Sequence, residues 1–393
     1  MKTNPSICLI LYSIASALLI CGGYLSIYGY YVLPACILIC MLFCSSTFFS
    51  TFFNQNSFTL YLFLLYFLIG SLFDLGWTVT IFVSFSPLLF CDFFVKEYSR
   101  VSGEGKALEY FVFFVLLLFV FLSITTIKYL INEPLMLRRL AQEDDSSLII
   151  GGCFALPYAM VILCPFLFSK IKHFHGIQKL FVIFVIILET AYVILSTYTT
   201  AILLLVFGYI YVFTRSLPKK RRIIIVALLG VSLLSIPVIL PFVIGLFSSG
   251  SGDADIVAIR LNELLEISQG VDASNAGRGD VGSRIDLSVS SIMAFIHNPI
   301  FGVGPSVNFD FFELAKVGVG QHAEWLDNLA KYGLFSFLLI IYLRLYSKRK
   351  YNKNNVAIPL FVILGFFNPI LFYTIFFTTF FFAPIANMAF PKP

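Results

Sequence analysis

LEYFVFFVLLLFVFLSITTIKYLI, residues 108–131, is almost wholly apolar. At 1.5 Å rise per residue it is long enough to cross the roughly 30 Å hydrocarbon core of a bilayer as one helix. Runs of the same kind recur along the chain. Taking about 20 apolar residues as one crossing, spans are expected near 6–27, 32–52, 58–75, 78–95, 108–131, 149–168, 180–196, 199–213, 223–248, 327–345, 356–374 and 376–390. The 199–213 run is short, and the last two are interrupted by Asn368-Pro369 and Pro384. The expectation is an all-α polytopic membrane protein of about twelve transmembrane helices.

Composition excludes the soluble alternatives. Of the 393 residues, 59% are hydrophobic and only 12% charged, with a mean hydropathy of +0.94. Soluble domains average about 25% charged residues, so this chain lacks the polar surface to face water all round. The net charge of +5 sits largely in short loops, where it acts as a topology signal and implies no nucleic-acid partner. The first apolar run has no small-residue cleavage site after it and reads as the first span. The eight cysteines all lie in or beside apolar runs, so they read as small buried apolar residues and not as a disulfide framework. The ladder of Cys36, Cys40 and Cys44 has no other ligand on its face, and no metal is expected.

Orientation follows from the basic loops. Residues 215–222 carry five basic residues and no acid, and residues 344–353 carry another five. With Lys170, Lys172 and Lys179, and with Lys96, Arg100 and Lys106, these loops fall on one side by span parity. That side also holds the N-terminus, which makes it cytoplasmic. The loop around Arg138 and Arg139 falls outside, diluted by Glu143, Asp144 and Asp145.

The expected organisation is N-terminal membrane helices over 1–248, an extracytoplasmic loop over 249–326 and C-terminal membrane helices over 327–393. The stretch from Ser249 to Glu324 carries ten acids against four bases, Arg260, Arg278, Arg284 and Lys316. Connections longer than about 15 residues are usually functional or disordered. Here Ile256, Ile259, Leu264, Leu265 and Ile267 suit one short helix, and Leu287, Ile292, Met293, Phe295 and Ile296 another. The glycine-rich break Ser274 to Asp280 separates them. The loop reads as an ordered domain lying on the membrane.

Two motifs stand out in it. Asn298-Pro299-Ile300-Phe301-Gly302-Val303-Gly304 combines a proline with two spaced glycines, giving a tight turn with unhindered backbone amides. His322-Ala323-Glu324-Trp325-Leu326-Asp327-Asn328-Leu329-Ala330-Lys331-Tyr332-Gly333-Leu334 then leads into the next span, where Gly333 would let a neighbouring helix approach. His322, Glu324 and Asp327 lie at its outer end.

Arg284 on a helix, the NPIFGVG turn, and a histidine followed by Tyr332-Gly333-Leu334, in that order, resemble the O-antigen polymerase and ligase superfamily. These are bacterial membrane glycosyltransferases of GT-C-like architecture. The likeness covers about 60 residues closely, and the wording of HAEWLDNLAKYG is nearer the polymerase branch. The resemblance implies a substrate glycan on undecaprenyl pyrophosphate, transferred to an acceptor sugar hydroxyl at the outer face of the inner membrane. It implies no cofactor, and as partners a flippase and a chain-length regulator.

The chemistry suits the residues. The leaving group is an anionic lipid pyrophosphate, and guanidinium forks bind phosphate oxygens bidentately. Arg284 and Arg278 are the candidates, with Arg260 third; the alternative is that they pair with acids such as Asp280 and Asp286. Gly302 and Gly304 belong to the same substrate-binding set. His322 is the candidate base for the acceptor hydroxyl, with Glu324 or Asp327 holding its tautomer or acting instead. Asp327 and Lys331 also have the spacing of a helix-stabilising pair. His297 precedes the turn and reads as structural. Glu189, expensive inside an apolar run, is a functional candidate by default. It either lines the carrier cavity or accepts a hydrogen bond from a neighbouring helix. The superfamily often has a Ser-Arg pair where this chain has Ser196-Thr197-Tyr198-Thr199-Thr200, so the arginine contact there is missing.

Polymerase, ligase and a non-enzymatic flippase are the three function classes. Transporters show inverted repeats and helices broken near the midplane, whereas here the halves differ and polarity is gathered in one loop. The expectation is a polysaccharide polymerase.

Overall fold

The computed structural model describes residues 58–72, 105–133, 137, 155–215, 217–218, 265, 280–304, 323–350, 356–368, 370 and 373–390. The spans expected at 6–27, 32–52, 78–95 and 223–248 lie outside these residues. So do Arg260, Arg278, His322 and the first loop helix apart from Leu265.

All regular structure among the described residues is helical: α1 (Phe58–Ser71), α2 (Gly105–Asn132), α3 (Ala155–Lys170), α4 (Gly176–Leu195), α5 (Thr199–Arg215), α6 (Asp280–His297), α7 (Glu324–Tyr332), α8 (Ser336–Lys350), α9 (Ala357–Leu364), α10 (Tyr373–Phe376) and α11 (Ala383–Ala389). Among the described residues four stretches are long and apolar enough to cross a membrane: Leu108–Asn132, Ala155–His173, Gly176–Leu195 and Glu324–Leu345. They coincide with the spans expected at 108–131, 149–168, 180–196 and 327–345.

The helices are apolar on their outward faces as well as inward. On α2, Val112, Val115, Leu116 and Phe119 are buried while Phe114, Leu117, Phe121 and Ile124 are exposed. On α4, Val182, Val185 and Ile186 point inward while Leu180, Phe184, Ile187 and Ile194 point outward. Water would not tolerate such faces side by side; lipid does. Helix α3 is buried nearly all round, as expected of a helix apolar on every face at the centre of a bundle. It packs against α4, α5, α9 and α10. Gly208 of α5 makes the closest approach, since a Cβ there would lie 2.6 Å from Pro165 Cγ. Cys164, also on α3, is fully buried.

The C-terminal end departs from the expected spans 356–374 and 376–390. Helix α9 ends at Leu364, a turn occupies Gly365 to Phe367, and helix resumes at Tyr373. Pro369 disfavours the α conformation at Asn368, so the break falls there and not near residue 375. Eight residues of α9 span only about 12 Å. Pro384, expected as an interruption, is accommodated by the π-helical turn Phe377–Phe382 that precedes α11. Local π geometry of this kind relieves the missing backbone donor.

Candidate functional site

The loop motif and the following membrane helix are assembled into one unit. Helix α6 packs along α7, and the two run in the same sense. Ser291 Oγ of α6 donates a 2.7 Å hydrogen bond to Asp327 Oδ1, and eight residues further on Pro299 O accepts one of 2.8 Å from Leu334 N. Ser291 is fully buried and Asp327 nearly so. Asp327 Oδ2 also accepts from Ala323 N at 3.4 Å, closing the first turn of α7 from within. Both oxygens of this candidate catalytic carboxylate are therefore engaged in holding the fold.

The Asn298–Gly304 turn is docked on the far end of α7. Val303 N donates to Ala330 O and Gly304 N to Lys331 O, each at 2.9 Å, and Gly302 N donates back to Asn298 O. The amides that the sequence left unhindered for a ligand are thus bonded within the protein. Gly302 (φ 69°) and Gly333 (φ 56°) both lie in the left-handed region. A Cβ on Gly302 would meet Lys331 O at 2.3 Å, and one on Gly333 would meet Ile300 O at 2.5 Å. Gly333 does allow a close approach, but the neighbour is this turn and not a helix. Its positive φ also breaks the helix: α7 gives way to a short 3-10 turn, Gly333–Phe335, before α8.

Glu324 and Trp325 hold the broken C-terminal segment. Glu324 Oε2 accepts from Ile370 N at 2.9 Å, Trp325 N donates to Gly365 O at 3.2 Å, and Trp325 Nε1 donates to Val362 O at 2.7 Å. These contacts satisfy backbone groups that the break between α9 and α10 leaves without helical partners, a requirement wherever irregular backbone sits among membrane helices. Gly365 is fitted against the Trp325 ring, where a Cβ would lie 2.5 Å from Nε1.

Arg284 lies seven residues before Ser291, two helical turns along the same face of α6. That offset carries Arg284 about 10 Å along α6 from the Ser291–Asp327 bond, toward the start of the helix. Ala323, the residue before α7, follows His322 directly. Arg284 is half-buried, and Ser288 Oγ bonds its backbone carbonyl. His297 is exposed, with Nδ1 2.8 Å from Met293 O, in keeping with a structural role.

Glu189 lies on α4, outside this unit. It is fully buried in α4 and Oε2 accepts a 2.5 Å hydrogen bond from Ser123 of α2. Of the two readings of this residue, hydrogen bonding to a neighbouring helix is the geometry present. Its Oε1 has no hydrogen-bond partner among the described residues.

Sequence reasoning missed Ser291, Trp325 and Tyr66. The Ser291 signal was present in its seven-residue spacing from Arg284. Tyr66 of α1 donates its hydroxyl proton to Phe301 O and stacks on Phe335 at 4.3 Å between ring centroids. Nothing local in the sequence pairs residues 235 positions apart.

Four helices long and apolar enough to cross a membrane among the described residues, with lipid-compatible outer faces, fit a multi-pass membrane protein. Residues 180–341 match the family model described as O-antigen ligase. This match supports the O-antigen ligase and polymerase superfamily and bears out the resemblance carried by Arg284, the 298–304 turn and residues 322–334. Members of that family are membrane glycosyltransferase-like enzymes acting on lipid-linked oligosaccharide. No curated protein matches the chain.

Proposed function

We propose that the protein is a polysaccharide polymerase. It transfers a glycan from undecaprenyl pyrophosphate to a sugar hydroxyl of a lipid-linked repeat unit, at the outer face of the inner membrane with the N-terminus cytoplasmic. The family match over 180–341, which encloses the whole α6–α7 unit, supports the superfamily common to polymerase and ligase; the wording of residues 322–333 favours polymerase within it. In the reaction the acceptor oxygen attacks the anomeric carbon of the donor sugar. The bond from that carbon to the pyrophosphate oxygen breaks, and the lipid pyrophosphate leaves with the electron pair.

His322 takes the hydroxyl proton as general base. Arg284, with Arg278 and Arg260, binds the pyrophosphate as its charge develops. Asp327 and Glu324 act through position: the first ties the arginine-bearing helix to α7, the second fixes the broken segment beside it. Gly302 and Gly304 shape the turn that closes the unit. Glu189 contributes inside the bundle, toward the carrier lipid.

The test is a deletion strain whose surface polysaccharide is separated on a gel. A single repeat unit on the lipid A core supports polymerase. Unmodified core with long chains still on the carrier would instead make the protein a ligase. Undiminished long chains on the core would remove both.

A further inference from the structure

The exposed face of α6 is apolar. Val289, Ile292, Met293 and Ile296 recur at i, i+3, i+4 and i+7, the spacing of one helical stripe, and all four are exposed, Ile296 at 59%. The opposite face carries Arg284, Ser288 and Ser291 toward α7. From residue 287 to residue 309 there is no Asp, Glu, Lys or Arg. Ile300 and Phe301, at the tip of the following turn, are exposed at 55% and 62%.

This face is continuous with surfaces that face lipid. The Phe301 ring lies beside the stacked pair of Tyr66 of α1 and Phe335 of the turn before α8, and Leu334 N is bonded to Pro299 O. Helix α1 exposes Leu65, Leu68 and Ile69, and α8 exposes Phe337 and Ile341. The apolar stripe of α6 therefore runs, through Phe301, into the outer flanks of two membrane helices.

We propose that the C-terminal half of α6 and the tip of the 298–304 turn are inserted into the acyl-chain region of the adjoining leaflet. The loop helix is on this view a membrane-inserted amphipathic helix, its polar face turned to α7 and its apolar face to lipid. The absence of charge fits hydrocarbon and not the anionic headgroup layer. The proposal is independent of the transfer reaction, and so is its test.

Full-length protein in phospholipid vesicles carrying a photoactivatable diazirine on the acyl chain is irradiated, digested and analysed by mass spectrometry. The expected adducts fall on Ile292, Ile296 and Phe301 and spare Arg284 and Ser288. A second measurement uses Ile296→Trp and Phe301→Trp, with wild-type emission subtracted. The added fluorescence is expected to be blue-shifted and quenched by acyl-brominated lipid but not by iodide. Lipid adducts on the α4 flank at Phe184 and Ile187 with none on residues 289–301 would overturn the proposal. So would iodide quenching, which places the face in water. Protection from both quenchers would also overturn it, by showing that another segment or a second copy covers the face.

Discussion

Ser291 and Asp327, 36 residues apart, share a buried hydrogen bond of 2.7 Å between the loop helix and the helix that leads into the membrane. Ser291→Ala leaves a buried carboxylate oxygen without its donor, at a cost of about 1–3 kcal/mol. The expected result is a lower unfolding temperature in detergent and shorter surface polysaccharide, with Ser291→Thr restoring both. Wild-type stability in Ser291→Ala would show that the bond contributes nothing.

Glu324→Gln and Glu324→Ala separate position from acid–base chemistry. The glutamine keeps a carbonyl oxygen for Ile370 N, whereas alanine removes the acceptor and leaves a buried amide unmet. Glu324→Gln is therefore expected to retain most of the polymer length seen with wild type, and Glu324→Ala to lose it together with stability. Loss of polymer in Glu324→Gln at normal abundance in the membrane would return the carboxylate to the catalytic set.

How much of this was legible in the sequence depends on the range of the interaction. Apolar runs announce membrane helices residue by residue, so α2, α4 and the helix from Glu324 were placed within a few residues. The interruption at Asn368-Pro369 was legible from the proline, but the limits of the spans around it were not, because hydropathy is continuous through Gly365 and Phe366 while the turn is held by contacts with Glu324 and Trp325. The residue types of the site were visible, but their partners were not. Asp327 has the spacing to pair with Lys331 on its own helix and does feel that charge, but its hydrogen bonds come from Ser291 and Ala323, which the spacing does not show.

Two of the positive-φ glycines, Gly302 and Gly333, make a prediction about shape. Gly302→Ala places a Cβ 2.3 Å from the Lys331 carbonyl oxygen, and Gly333→Ala places one 2.5 Å from that of Ile300. Backbone contacts cannot swing aside as a side chain tip does, and each site adds left-handed strain on the order of 1–3 kcal/mol. Both variants should show faster proteolysis of the loop and reduced polymer. Gly176, also at positive φ but with open space around it, serves as the control; Gly176→Asn should be tolerated.

Inside the bundle, Glu189→Gln keeps an acceptor for Ser123 and removes any possibility of charge. Unfolding temperature should be close to wild type, because the only hydrogen bond made by the carboxylate among the described residues survives. Glu189→Leu removes the acceptor from a buried serine and should be less stable. Equal stability of all three forms would show that the α2–α4 bond contributes nothing to packing.

Chemistry itself is tested at His322 and Arg284. A general base contributes typically 10²- to 10⁴-fold, so His322→Ala should abolish the polysaccharide ladder while protein abundance in the membrane is unchanged. Arg284→Lys keeps the charge and loses the planar fork. Losing one charge-assisted hydrogen bond of about 1.5–3 kcal/mol slows transfer roughly ten- to hundredfold, which reads on the gel as shortened chains. If Arg284 served only to hold α6, the lysine variant would lower the unfolding temperature as Ser291→Ala does; binding of pyrophosphate predicts shortened chains at wild-type stability. Full-length chains in Arg284→Lys would take that residue out of the site, and long chains in His322→Ala would leave the acceptor proton to another group.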